Sequence, residues 1–234
     1  MIFFLTYGDN KYNESKKRIF NEAIEIGIFD KIIVQTPDDL PKNLPDMTNK
    51  VLTLQRGGGY WIWKPIIIKN QLELMNNDDI LVYVDAGCHI NKYGLNRFNE
   101  YLSYLTNDKP MIRFQMEAPE YKYTTTSILK YFNVENDENI TKTGQFIGGI
   151  QIIKKSNISM KIVNEWYSVA IENPLLFSDF YNNIDRHPEF QDNRHDQSIF
   201  SIITKKNIDN IYTLIDETNP YNINYPICAA RIRG

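Results

Sequence analysis

Ile80-Leu81-Val82-Tyr83-Val84-Asp85-Ala86-Gly87-Cys88-His89 is the stretch on which the fold turns. Ile80 to Val84 are apolar or aromatic, and three of the five are β-branched. That pattern predicts a strand buried on both faces. It runs directly into one carboxylate, Asp85, and two small residues, Ala86 and Gly87. In an open α/β sheet, ligands bind just beyond the carboxyl ends of the strands. An acid there, with room for a close neighbour, suits a ligand; equally, Asp and Gly are ordinary turn residues.

The surrounding chain supplies partners for such a strand. Residues 2–7 read as a first strand ending at Tyr7-Gly8-Asp9, not as a signal peptide, since no basic residues precede the apolar run. Ile19, Phe20, Ala23 and Ile24 recur at helical spacing over 13–27, and Gly27 is a natural stop. A second strand at 31–35 completes a βαβ unit, and residues 36–50, with three prolines, read as a long loop. A helix follows Pro65, which suits a first helical position. Further helices are expected at 92–107, Thr124–Phe132, 156–172 and 196–205, and strands at 110–115, 145–153 and 210–215. Residues 134–143 and 174–194 read as irregular. Gly148-Gly149 interrupts the 145–153 strand, which marks close approach of a ligand or another backbone. No linker or repeat divides residues 1–234, so one domain is expected.

Composition narrows the function. Of 234 residues, 42% are hydrophobic and 24% charged, which makes the chain globular. The net charge of −3 argues against a nucleic-acid partner held by bulk charge. Two cysteines make no disulfide framework and fit a reducing, cytoplasmic setting. No apolar run approaches the roughly 20 residues a transmembrane helix needs, while peripheral membrane contact stays compatible with the sequence.

Three further constellations carry chemistry. The first is Arg56-Gly57-Gly58-Gly59-Tyr60-Trp61-Ile62-Trp63-Lys64-Pro65. Its glycines allow unusual backbone, and Lys64 at a helix start suits a diphosphate. The plainer reading makes Trp61 and Trp63 core anchors and the glycines a hinge. The second is Arg194-His195-Asp196-Gln197-Ser198, where Asp196 is either a helix cap or a proton acceptor. Gln197 suits a sugar hydroxyl, and His195 a proton or a metal. The third is the tail, where Arg231 and Arg233 alternate toward one side, suited to phosphate oxygens or simply to solvent.

Taken in order, these features resemble the GT-A fold glycosyltransferases over roughly residues 1–215. Tyr83-Val84-Asp85-Ala86-Gly87 stands where that family carries Asp-x-Asp, followed by the Gly148-Gly149 strand and the Asp196-Gln197 pair. The Tyr-Trp-x-Trp-Lys-Pro run followed by Tyr-x-Asp-Ala-Gly-Cys resembles a subgroup of small transferases tied to surface glycans in microbes and large viruses; a viral member would work in the host cytoplasm. The resemblance implies an α/β fold, a single Rossmann-like domain with a mixed, mostly parallel central sheet flanked by helices. It implies hexosyl or pentosyl transfer from a nucleotide-sugar donor to a glycan, glycoconjugate or other hydroxyl acceptor, with inversion or retention left open. Donor contacts would be Thr6, Tyr7, Gly8, Lys64, Asp85, Ala86, Gly87, Gly148, Gly149, Arg231 and Arg233. Asp196 would be the catalytic carboxylate, with Trp61, Trp63, His195 and Gln197 on the acceptor side. Manganese (Mn²⁺) or Mg²⁺ would sit on Asp85, although Gly87 occupies the second acidic position of the motif. A non-catalytic nucleotide-sugar or glycan-binding protein on the same fold is the alternative.

Overall fold

The computed structural model describes residues 1–219 and 221–232. Its strands are β1 (Ile2–Tyr7), β2 (Lys31–Gln35), β3 (Ile80–Val84), β4 (His89–Ile90), β5 (Met111–Pro119), β6 (Gly144–Phe146), β7 (Ile150–Lys154), β8 (Ile211–Ile215) and β9 (Ile227–Cys228). Its longer helices are α1 (Asn13–Ile26), α2 (Asp46–Leu52), the single turn α3 (Gly57–Tyr60), α4 (Trp63–Leu74) and α5 (Leu95–Tyr104). Then come α6 (Glu120–Tyr123), α7 (Thr126–Tyr131), α8 (Glu138–Thr141), α9 (Asn157–Glu172) and α10 (Asp196–Lys206).

Seven strands form one sheet, in the order β2-β1-β3-β7-β5-β6, with β8 paired to β5. β1 pairs parallel to β2 and β3, and β8 parallel to β5, whereas β7 and β6 run antiparallel to their neighbours. Five of the seven strands therefore point one way, which is the mixed, mostly parallel α/β sheet expected. Successive side chains alternate between its faces. Phe3, Leu5, Leu81, Tyr83 and Ile153 enter the core under α4, α9 and α10. Phe4, Val82, Val84, Ile150 and Ile152 enter the core under α1 and α5. The same alternation carries Asp85, two residues past Tyr83, to the face covered by α4 and α10.

Element bounds follow the residue pattern closely where a period is present. Gly27 ends α1 with φ +73°, a left-handed cap that glycine adopts without a Cβ penalty. Ser156 caps α9 by accepting from the Ser159 backbone N–H. Four expectations are corrected. The loop 36–50 holds the start of α2, which is short and shows no apolar period before residue 48. The strand 145–153 is two strands, β6 and β7, both antiparallel to β5 and broken at Gly148-Gly149. Pro65 is the third residue of α4, still within the first turn, where its missing N–H costs nothing. Residues 134–143 are not wholly irregular, because they hold α8, and the tail adds β9, which pairs with β4.

Residues 57–61 all have positive φ, from 53° to 93°, making one left-handed turn before α4. At Gly59 a Cβ would lie 2.6 Å from Leu52 Cα and 3.0 Å from Val51 O. Gly59→Ala should therefore destabilise the protein by about 2 kcal/mol or more. Gly27, whose added Cβ would meet nothing within 4 Å, should lose only about 1 kcal/mol on conversion to Ala, the cost of left-handed backbone alone. Urea midpoints of the two variants check the difference.

Candidate active site

Three segments far apart in the chain meet at the carboxyl ends of β1 and β3. Lys64 is the second residue of α4, Asp85 the first residue past β3, and Asp196 the first residue of α10. The Lys64 ammonium donates to Asp196 Oδ2 at 2.7 Å and to the Gly148 carbonyl at 3.2 Å, and lies 3.2 Å from Asp85 Oδ1. The Lys64 side chain is 2% exposed and that of Asp196 6%, whereas Asp85 is 32% exposed. The site is therefore open on the Asp85 side and closed beneath it.

The backbone explains why these atoms meet. The left-handed turn aims the start of α4 at the sheet, and Trp63 anchors it by stacking on Tyr7, with ring centroids 3.9 Å apart. The Trp63 indole donates to Gly57 O at 3.1 Å. Asp85 N–H donates to Gly149 O at 2.8 Å, extending the β3–β7 ladder into the site. A Cβ on Gly149 would sit 2.9 Å from Asp85 Oδ2, and one on Gly148 2.7 Å from Gln197 Cβ. Both glycines are required by close approach, not by φ. His195 adopts φ +56°, ψ −117°, a strained conformation for a side chain with a Cβ. It is held by Nδ1–H donation to Phe177 O at 2.7 Å and by stacking on Trp61.

Charge is matched in this buried layer. Burial disfavours the Lys64 ammonium, but Asp196 and Asp85 outweigh it and raise its pKa. Asp196 is raised to about 6, first by burial and then by Asp85, against the pull of Lys64. Its folded value lies above the ordinary 3.8, so the stability it contributes is complete below 3.8 and lost as pH rises through about 6. Arg113, lowered to about 9 by burial, still carries charge at neutral pH. Its guanidinium lies over the Phe200 ring and donates to Ile147 O. Burial lowers His195 to about 4, so it is neutral near pH 7.

The structure sets the expected residues at different places. Asp85, Lys64, Asp196, Gly148, Gly149 and Gln197 converge. Gln197 Oε1 accepts from Gly148 N–H at 2.9 Å, and its amide donates to Gln145 Oε1 at 2.7 Å. Thr6, Tyr7 and Gly8 close β1 on the same sheet edge but are all buried, and the Thr6 hydroxyl has no partner. Ala86 and Gly87 form the rim, clamped by Arg18, which donates to Ala86 O and Cys88 O at 2.9 Å each. The tail crosses this rim: Ile232 N–H donates to Gly87 O at 2.8 Å. Arg231 is exposed there, close enough to Arg194 to lower its pKa further after burial. Arg233 lies outside the described residues. Lys64 turns inward to the two carboxylates, and Trp63 and His195 are interior, at 5% and 2% exposure. Trp61 is half-buried against His195.

Sequence reasoning gave no role to Tyr83, Arg113, Gln145, Gln151 or Arg194. Tyr83 hydroxyl donates to Asp85 Oδ1 at 2.5 Å, and Gln151 donates to Gly148 O at 2.9 Å. A signal existed for three of them: Arg113, Gln145 and Gln151 are polar residues set within or beside apolar strand runs, the informative kind of burial.

The residues present do not fit the divalent cation expected on Asp85. Oδ1 of Asp85 already meets Tyr83 and Lys64, leaving one carboxylate oxygen, and Gly87 offers no second acid. Among the described residues no three His, Cys, Asp or Glu side chains converge. Hard divalent cations take six or more oxygens.

No family model matches the chain, and no curated protein matches it. Solved structures do. A glycosyltransferase involved in the glycosylation of the major capsid of PBCV-1 aligns with a TM-score of 0.53 and 8% identity, over 97% of this chain and 92% of its own. Mouse xyloside xylosyltransferase 1 gives a TM-score of 0.47 and 9% identity, over 92% and 85%. The first of these likenesses spans nearly the whole of both chains and shows that this chain carries the GT-A type of fold.

Proposed function

We propose that this protein is a glycosyltransferase moving a hexosyl or pentosyl group from a nucleotide-diphosphate sugar to a hydroxyl of a glycan or glycoconjugate. The observation that carries the reading is the pair of carboxylates, Asp85 and Asp196, held about one buried ammonium beneath a side-chain-free Gly148-Gly149. Ligands in open α/β sheets bind at such strand ends.

In this reading the nucleotide lies past β1, at Thr6, Tyr7 and Gly8. The diphosphate lies against Ala86, Gly87 and the guanidiniums of Arg231 and Arg194, with Arg233 as a further cation. The sugar rests on Gly148 and Gly149, with a hydroxyl accepted by Asp85. The acceptor enters beside Trp61 and Gln197. Transfer breaks the bond between the anomeric carbon and the diphosphate oxygen and forms one to the acceptor oxygen. The acceptor proton passes to Asp196, the diphosphate leaves with the electron pair, and the positive charge developing on the sugar faces both carboxylates. Gly87 in place of an acid favours a second reading, a binding protein on the same fold.

A panel of UDP-, GDP- and dTDP-sugars with a nucleotide-release readout separates the two. Release from one donor is expected; calorimetric binding without release from any donor would establish the binding protein. Asp196→Asn should lower turnover by about a hundred- to ten-thousand-fold while donor affinity stays within about twofold; equal turnover would remove Asp196 from the reaction. Asp196 acts as the carboxylate, so activity should fall as pH drops through about 6. Asp85→Asn removes a charge that raises Asp196, and should shift this acidic limb to lower pH in the residual activity profile.

A further inference from the structure

We propose that the ε-ammonium of Lys64 is the resident cation of this site and that Asp85 binds no divalent metal. For its catalytic meaning the proposal rests on the transferase reading above; the binding claim stands on geometry alone. Three oxygens surround Nζ: Asp196 Oδ2 at 2.7 Å, and Asp85 Oδ1 and Gly148 O at 3.2 Å. Two of its donors bond Asp196 and Gly148 O, and Asp85 completes the shell as an ion pair. The three oxygens come from α10, from the end of β3 and from the break between β6 and β7, so the cage is assembled by the fold and not by a local loop.

A cage of two carboxylates and a carbonyl is what a hard cation seeks. Here a covalently tethered cation already fills it, and the indole of Trp63 and the ring of Tyr83 lie 5.7 and 5.5 Å from Nζ. Those rings flank the ammonium on its apolar side. A second cation approaching Asp85 would find one free oxygen, Oδ2, with the Lys64 charge immediately behind it. The charge of a leaving diphosphate then falls to Arg194 and Arg231 at the rim.

Mn²⁺ alone, titrated into the protein and followed by the resonance of free Mn²⁺, tests this. The wild type should leave the free signal at its buffer value. Lys64→Ala and Lys64→Ser leave Asp85, Asp196 and Gly148 O facing a gap. Each should bind one Mn²⁺ and gain thermal stability from it, because a ligand held only by the folded state raises its melting temperature. Saturable Mn²⁺ binding by the wild type that Asp85→Ala abolishes would overturn the proposal, as would a folded Lys64→Ala protein that ignores Mn²⁺. If neither variant folds, the wild-type titration decides alone. Turnover in EDTA should stay within about twofold of that with Mn²⁺, since no step draws on the metal. A wild type that excludes Mn²⁺ but releases nucleotide from no donor refutes the transferase reading and leaves this one standing; turnover that requires Mn²⁺ does the reverse.

Discussion

A buried ammonium persists only where oxygens replace the water it has lost. Removing such an ion from water costs several kcal/mol even after relaxation, and only well-placed partners offset that. Lys64 meets the condition through three atoms on three different elements. The consequence is structural before it is chemical. β3 must end at Asp85, α10 must begin at Asp196, and the chain between β6 and β7 must turn its Gly148 carbonyl inward. Each of these is needed for the others, and together they set two carboxylates at fixed distances before any ligand arrives. Such prior order is what electrostatic catalysis requires.

Strain is concentrated on the two segments that feed this contact. Left-handed backbone costs roughly 1–2 kcal/mol per residue that bears a Cβ. Glycine removes the cost at 57, 58 and 59, but Tyr60 and Trp61 still carry it, as does His195 in its own unfavourable conformation. The strained residues hold one another. Trp61 stacks on His195 at 5.5 Å between centroids, and Tyr60 donates to Asp179 at 3.0 Å, in the cluster that also binds Arg56. The Gly-rich turn and the residue before Asp196 are thus one packed unit. Lys64 and Asp196 are delivered to each other from opposite sides of the same stack.

Much of this arrangement is legible in the chain, and the gaps have physical causes. An unbroken apolar run and β-branching disclose β3 and its terminal acid, because a strand buried on both faces has little freedom in composition. The glycine run discloses unusual backbone, and five successive positive φ values are the result. What a linear reading misses is direction. Lys64 beside a helix start suggests an outward cation, yet the left-handed turn rolls it inward, and no local pattern encodes that sense. His195 and Trp63 suggest ligand contacts for the same reason and are packed instead. α2 escapes notice because seven residues beginning after Pro45 offer too few turns to show a period. β9 escapes because a two-residue strand is defined by its partner β4, not by its own residues.

Sorting the charges by depth gives the molecule its polarity. Below the sheet edge Asp85 and Asp196 face Lys64, with Arg113 behind them, and Glu120 pairs with Lys205 at 3.0 Å. That layer is balanced and largely dry. Above it, at the rim, Arg194 and Arg231 repel each other, and Arg231, among the described residues, forms no ion pair. Two like charges kept side by side raise the local potential and are stabilised when an anion arrives. The tail that brings Arg231 there is fastened by β9 pairing with β4 and by the Ile232 bond to Gly87 O. A ligand that is anionic at one end and becomes cationic at the other finds both halves of its complement here. The positive rim lies over Gly87, and the carboxylates lie beneath Gly148 and Gly149. In the proposed reading, a nucleotide-diphosphate sugar acquires that distribution of charge as the bond from its anomeric carbon to the diphosphate breaks.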